Sequence, residues 1–210
     1  MPHRNRVDPW GRLIETPARG DWFGNRGCLH DRDGRITGRK PPVDAWIICV
    51  LEFKNRRRKL LQPGRFTELF FLDEATALAA GHRPCGECRY ADLRRFGRAW
   101  PGAAPGRYVL ARDIDTVMRV ERVVPARQRR RCWLDPARPP ADGLMFMRTE
   151  DATETALLSA RGALWRWTPQ GYEGRAPWTR REQAVLLTPP STAAAIANGY
   201  RPQIHRSAAG

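Results

Sequence analysis

Cys85 and Cys88 are two residues apart in Pro84-Cys85-Gly86-Glu87-Cys88-Arg89. At that spacing neighbouring backbone positions can offer two thiolates to one tetrahedral metal. Pro84 fixes the backbone just before the first sulfur, and Gly81 can take the left-handed conformation that closes a preceding helix. The chain has five cysteines, an odd number at irregular intervals, which suits a metal site better than a disulfide framework. Thiolates with imidazole favour zinc, and nothing in the pattern asks for redox chemistry.

Two further ligands must come from elsewhere, and four residues compete: Cys28, His30, Cys49 and His82. His30 ranks first, because a side chain on a glycine-rich loop can reach out of a tight turn. Cys49 is the expected fourth ligand, with Cys28 as its alternative. Cys49 lies in an apolar run, where a small buried hydrophobe is an equally good reading. His82 reads as a packing or polar contact, and Cys132, after an arginine run, as a surface or structural thiol. Four protein ligands would make a closed, structural site; three with an open position would make a catalytic one. A Cys-x-x-Cys pair with a distant Cys and His points to the structural kind.

Other catalytic patterns are scarce. There is no serine nucleophile elbow, phosphate loop or His-Glu-x-x-His motif. Asn25, His30 and Asp31 form a polar cluster on the loop Gly24 to Asp31, where an imidazole could act as general base. Asp8 and Glu68 are further acids that could join it. These residues permit a nucleic-acid-processing enzyme, such as a hydrolase, nuclease or glycosylase-like repair activity. Asp31 by itself reads as a turn residue.

The elements that must position these groups read as an α+β fold. Ala45 to Phe53 is a strand by its apolar and aromatic run, and Phe66 to Leu72 is a second. Asp73 N-caps a short alanine-rich helix that runs to Ala80. Helical spacing of Leu93, Phe96 and Trp100 predicts a helix over 90–100, and another starts near Ile114. Asp33-Gly34 reads as a hairpin turn. Beyond a proline-rich link, Leu144–Met147, Ala156–Leu158, Ala163–Trp167 and Ala184–Leu187 are short strand candidates punctuated by Gly162, Gly171 and Gly174. The expected organisation is a zinc-knuckle α+β domain over 1–136 and a small antiparallel β-rich subdomain over 143–210. Ala193 to Pro202 echoes Ala75 to Pro84, with Gln203 in place of Cys85. The plainer explanation is a shared strand, short helix, glycine and proline.

The stretch Phe70-Phe71-Leu72-Asp73-Glu74, followed by Ala-Leu-Ala-Ala-Gly-His-Arg-Pro-Cys-x-x-Cys-Arg, resembles the second half of the Ada-type metal-binding domain. The match covers residues 70–89. It implies zinc held by cysteines, DNA contact and, in the family's namesake, methyl transfer from DNA phosphotriesters to a zinc-bound cysteine. At the position of His82 that family carries Tyr, a non-ligand, and its first ligand pair, Cys-x-x-x-Cys, has no counterpart here. The chain as a whole also resembles a family of bacterial proteins, from which no activity follows.

Composition bounds the partners. Among 210 residues, 37 Lys and Arg face 22 Asp and Glu, a formal charge of +15. GC-rich coding can explain arginine over lysine, of which there are three (Lys40, Lys54, Lys59), but not the excess of cations. The charge points to nucleic acid, with DNA favoured over RNA. The densest basic runs are Arg56-Arg57-Arg58-Lys59 and Arg129-Arg130-Arg131, whose guanidinium groups can fork onto phosphates. As plain structure, the first run reads as a turn and the second as a helix end. Trp165, Trp167, Tyr172 and Trp178 would instead suit a metal-stabilised protein-interaction module. No apolar run spans a membrane and no leader is visible, so a cytoplasmic location is expected.

Overall fold

A computed structural model describes residues 3–37, 43–55, 59–125, 128–150 and 153–208. Among the described residues there are two six-stranded sheets and four α-helices, the α+β class expected, with the second sheet in the C-terminal half. No described helix is long and apolar enough to cross a membrane.

The first sheet contains β1 (Arg6–Val7), β2 (Leu13–Ile14), β3 (Trp22–Asn25), β4 (Ile47–Cys49), β5 (Leu69–Phe71) and β6 (Arg83–Pro84), in the order β2-β1-β5-β3-β4-β6. The strands are shorter than the apolar runs suggest. Alternation along them gives the sheet two different faces. Trp22, Ile48, Leu69 and Phe71 enter the main core, whereas Phe23, Cys49 and Phe70 share a separate small cluster with Cys85 and Cys88. The run Ala45 to Phe53 is therefore apolar because it serves both faces.

The alanine-rich helix, α1 (Glu74–Ala79), is buried along its whole length. Asp73 is its N-cap, its Oδ1 accepting the Thr76 N–H at 2.8 Å. Small side chains let α1 lie between layers: Ala77 and Leu78 belong to the first sheet's core, Ala75 and Ala79 to a core with Met145 and Leu158 of the second half. Gly81 follows with φ +83°, a conformation that suits glycine. Two more helices cover this half, α2 (Tyr90–Ala99) and α3 (Ala111–Glu121).

The second sheet is built from β7 (Arg131–Leu134), β8 (Met145–Glu150), β9 (Thr153–Ala160), β10 (Ala163–Thr168), β11 (Gly171–Arg175) and β12 (Glu182–Leu186), ordered β11-β10-β9-β8-β12-β7 and antiparallel throughout. Arg131 opens β7, so the second basic run leads into a strand rather than ending a helix. The glycines around 171–174 mark β11 itself. Of the aromatic residues considered for partner binding, Trp165 and Tyr172 are buried, and Trp167 and Trp178 are packed against the protein's own cores.

α4 (Pro190–Ala197) returns to the first core through Ala195 and Ile196. Its end repeats the end of α1. Gly81 N–H bonds Leu78 O as Gly199 N–H bonds Ile196 O, and His82 N–H bonds Ala77 O as Tyr200 N–H bonds Ala195 O. The sequence echo is thus a repeated helix-closing turn.

The halves are joined through the first turn of α1. Glu74 accepts from Tyr200 Oη–H at 2.5 Å and Gln203 N–H at 2.9 Å, and pairs with Arg89 at 2.8 Å. Asp73 accepts from Tyr172 Oη–H at 2.8 Å and His205 N–H at 3.0 Å. Both members of the Glu74–Arg89 pair are 1% exposed. Removing one partner strands the other charge in the core, which costs about 3–5 kcal/mol. Glu74→Ala is expected to lose stability on that scale in urea denaturation at pH 7; a loss under about 1 kcal/mol would contradict a structural role for the pair.

Candidate metal centre

β4 and β6 run parallel, with Ile48 beside Pro84, and Cys85 N–H donates to Ile48 O at 2.9 Å. That pairing delivers the first knuckle sulfur next to the last residue of β4, which is Cys49. The tight turn after Cys85 then brings Cys88 back. The ligand atoms of Cys49, Cys85 and Cys88 lie within 4.8 Å of one another. Among the described residues no other histidine, cysteine or carboxylate joins this group.

The sulfurs polarise one another. Hydrogen bonding from Cys49 and Cys88, helped by the backbone N–H of Glu87, lowers the Cys85 pKa. The same contact with Cys85 pushes the Cys49 thiol up. Three cysteine sulfurs gathered this closely are a donor set that could hold a soft metal ion. A bound metal would remove the remaining protons.

The cysteines form part of the wall of a cavity of about 250 Å³. Phe23, Phe53, Phe66 and Phe70 supply aromatic lining, and Asn25, Glu68 and Glu87 supply the polar groups. Phe23 is the hub of the rings, 6.1 Å from Phe66 and 6.0 Å from Phe70 between centroids. Glu68 is buried, and its Oε2 accepts the Leu61 N–H at 2.9 Å. Asn25 ends β3, and its Oδ1 accepts the Gly27 N–H at 3.3 Å.

Of the expected ligands, Cys49, Cys85 and Cys88 come together and His30 does not. The His30 ring is buried, with Nε2 bonded to Gln62 O at 3.1 Å and Nδ1 to Thr67 Oγ1 at 2.6 Å. Nε2–H donates and Nδ1 accepts in the tautomer that also leaves Thr67 Oγ1 free to receive the Leu29 N–H at 2.7 Å. Both nitrogens are used in pinning the loop to the 62–67 turn. Cys28 is also outside the cluster, its Sγ 3.5 Å from His30 O. Asp31 accepts the N–H groups of Asp33 and Arg35, as a turn residue does. Asn25 is therefore the one member of the loop's polar trio that lines the cavity. Glu68, a stray acid in sequence, lines it too, carried there because Phe66, Glu68 and Phe70 share a period of two.

Asp8 holds Arg12 at 2.8 Å instead. Cys132 pairs across from Ala184 in the second sheet. His82 is fully buried, stacked edge-on to Phe71 and 4.7 Å from its centroid. Its Nδ1–H donates to Ala77 O at 3.2 Å, and Arg26 Nε–H donates to Nε2 at 3.2 Å. Arg26 in turn lies 4.3 Å from the centroid of the Trp46 ring, and burial lowers its pKa to about 9.

The basic runs are distributed differently. Arg56, Arg57 and Arg58 lie outside the described residues. Lys59, Arg130 and Arg131 are exposed. Arg129 is engaged, donating to Val124 O at 3.1 Å and Leu187 O at 2.8 Å.

No family model, curated protein or solved structure matches the chain.

Burial, with Arg26 beside it, holds the His82 pKa well below that of a free histidine. The unfolded chain takes up this proton near pH 6.5 and the folded chain does not, so the contribution is present above about pH 6.5 and is lost as pH falls. Between pH 7 and 5 the loss amounts to about 2 kcal/mol. Urea denaturation at pH 7, 6 and 5 is expected to show a steeper acid loss for the wild type than for His82→Gln. Equal slopes would contradict it.

Proposed function

We propose that this chain is a zinc–thiolate protein that contacts nucleic acid, its metal held by Cys49, Cys85 and Cys88. The observation that carries the reading is the convergence of three sulfurs at the wall of an aromatic cavity. Three protein ligands leave a tetrahedral ion one position for a non-protein ligand, the arrangement of a site that does chemistry or binds a ligand rather than a closed structural one. Bound there, zinc would supply Lewis acidity and fix the three sulfurs as thiolates. The resemblance of residues 70–89 to the Ada-type domain agrees in metal and in DNA as partner.

Charge supports the nucleic-acid half. The chain carries +15, and Lys59, Arg130 and Arg131 offer exposed cations. Arg98 lines a surface cleft between the ends of α2 and α4, where its guanidinium group can meet a phosphate; Arg95, paired with Asp92, and Arg201, bonded to Ile196 O, line the same cleft. Arg129 is excluded from this role by its backbone bonds. A second reading, an enzyme acting on nucleic acid, is favoured by Glu68 and Asn25 lining the same cavity as the sulfurs.

Elemental analysis of purified full-length chain is expected to find one zinc per molecule, lost in Cys85→Ser. Binding of a fluorescent DNA duplex or single strand is expected to weaken by at least about tenfold between ~50 and ~200 mM salt. A metal-free, folded wild type would overturn the zinc assignment. Absence of salt-sensitive binding at low ionic strength would overturn the nucleic-acid assignment.

A further inference from the structure

Trp133 is the one exposed residue among the eight tryptophans. It is 55% exposed and sits on β7, the edge strand beside β12 in the second sheet. Alternation decides which side chains share its face. Cys132 and Leu134 turn toward a core with Leu164 and Leu186, so Arg131 and Trp133 turn the other way. Across the ladder Trp133 pairs with Gln183 of β12, which is exposed as well. The ring is therefore presented at an open margin of the sheet.

Cations gather around it. The Arg181 guanidinium lies 4.7 Å from the centroid of the Trp133 ring. Arg130, Arg131, Arg180 and Arg181 are all exposed. None of the four forms an ion pair with a described carboxylate. Arg83 and Arg89, by contrast, are buried against Asp115 and Glu74. A guanidinium stacked on an aromatic ring keeps its N–H edge for a phosphate oxygen. Arginines on an edge strand also discourage pairing with another chain. That role does not call for an exposed tryptophan, which works against it. Tryptophan and arginine together are the side chains that most often carry binding energy at a surface.

We propose that this edge of the second sheet is a stacking platform for single-stranded nucleic acid. Trp133 receives one unpaired base, and Arg130, Arg131, Arg180 and Arg181 meet the phosphates around it. The inference rests on the reading of the chain as a protein that contacts nucleic acid, and it names the form of nucleic acid and the residue that holds a base. It does not depend on the metal. A duplex keeps its bases stacked on one another and offers this surface only phosphates, so it gains from the arginines and not from the ring.

The test is fluorescence anisotropy of the full-length chain with three labelled DNA probes: an oligothymidylate of about twelve nucleotides, an abasic strand of the same length, and a duplex. Trp133→Leu is expected to weaken binding of the oligothymidylate by at least about fivefold and to leave the other two within about twofold. Its salt dependence is expected to match the wild type, because stacking releases no counterions. Arg131→Ala is expected to weaken all three and to reduce the salt slope on the single strand by about 0.7. Trp133→Phe, which keeps a ring, is expected to retain most of the affinity. If Trp133→Leu binds the oligothymidylate as the wild type does, or loses as much on the abasic strand, the platform is overturned while the wider nucleic-acid reading stands. If the wild type binds none of the probes at low ionic strength, both fall. Polyglutamate competing as well as oligothymidylate would assign the surface to acidic peptides and also overturn the proposal.

Discussion

The Glu74–Arg89 ion pair closes the segment that contains α1, the Gly81 turn and both knuckle cysteines. Its ends are the first residue of the helix and the residue after Cys88. Such a pair is worth little as net stability, because desolvating two charges offsets most of their attraction. Its value here is positional. Arg89 also lies 4.1 Å from the centroid of Trp22 in β3 and bonds Asp92 at 2.7 Å, so the end of the knuckle is tied to the sheet and to α2 together. Tyr200 and Gln203 reach Glu74 from the far end of the chain. The C-terminal segment is thereby part of the frame that holds the sulfurs.

From that frame the site follows by sheet geometry. Gly81 reverses the chain, Arg83 and Pro84 add to β4, and Cys85 arrives beside Cys49. Arg83 is held in turn by Asp115 of α3, with two bonds at 3.0 and 2.7 Å. Because strand side chains alternate, Cys49 leaves the face that Ile48 buries and joins Phe23 and Phe70 on the other. One face of the first sheet packs into the main core and the opposite face carries the three cysteines.

Much of this was legible in sequence. The Cys-x-x-Cys spacing, the Asp73 cap and the alanine helix act through neighbours in the chain, and the α+β class follows from local periodicity. Cys49 was within reach because strand alternation assigns it a face, though not which one. His30 was misplaced because loop composition says that a side chain can project, not what it meets; Thr67 and Gln62 are more than thirty residues away. Glu68 was legible only as an acid that could join the loop's polar cluster, for a related reason. Its burial depends on how β5 pairs with β1 and β3, a long-range choice that the local pattern does not encode. The opening of β7 at Arg131 likewise depends on its partner β12.

The proposed zinc would be held by three sulfurs rather than four. X-ray absorption at the zinc edge of the full-length protein counts them directly. Three Zn–S distances near ~2.3 Å and one shorter distance to oxygen or nitrogen are expected. Four sulfurs, or a shell dominated by nitrogen and oxygen, would contradict it.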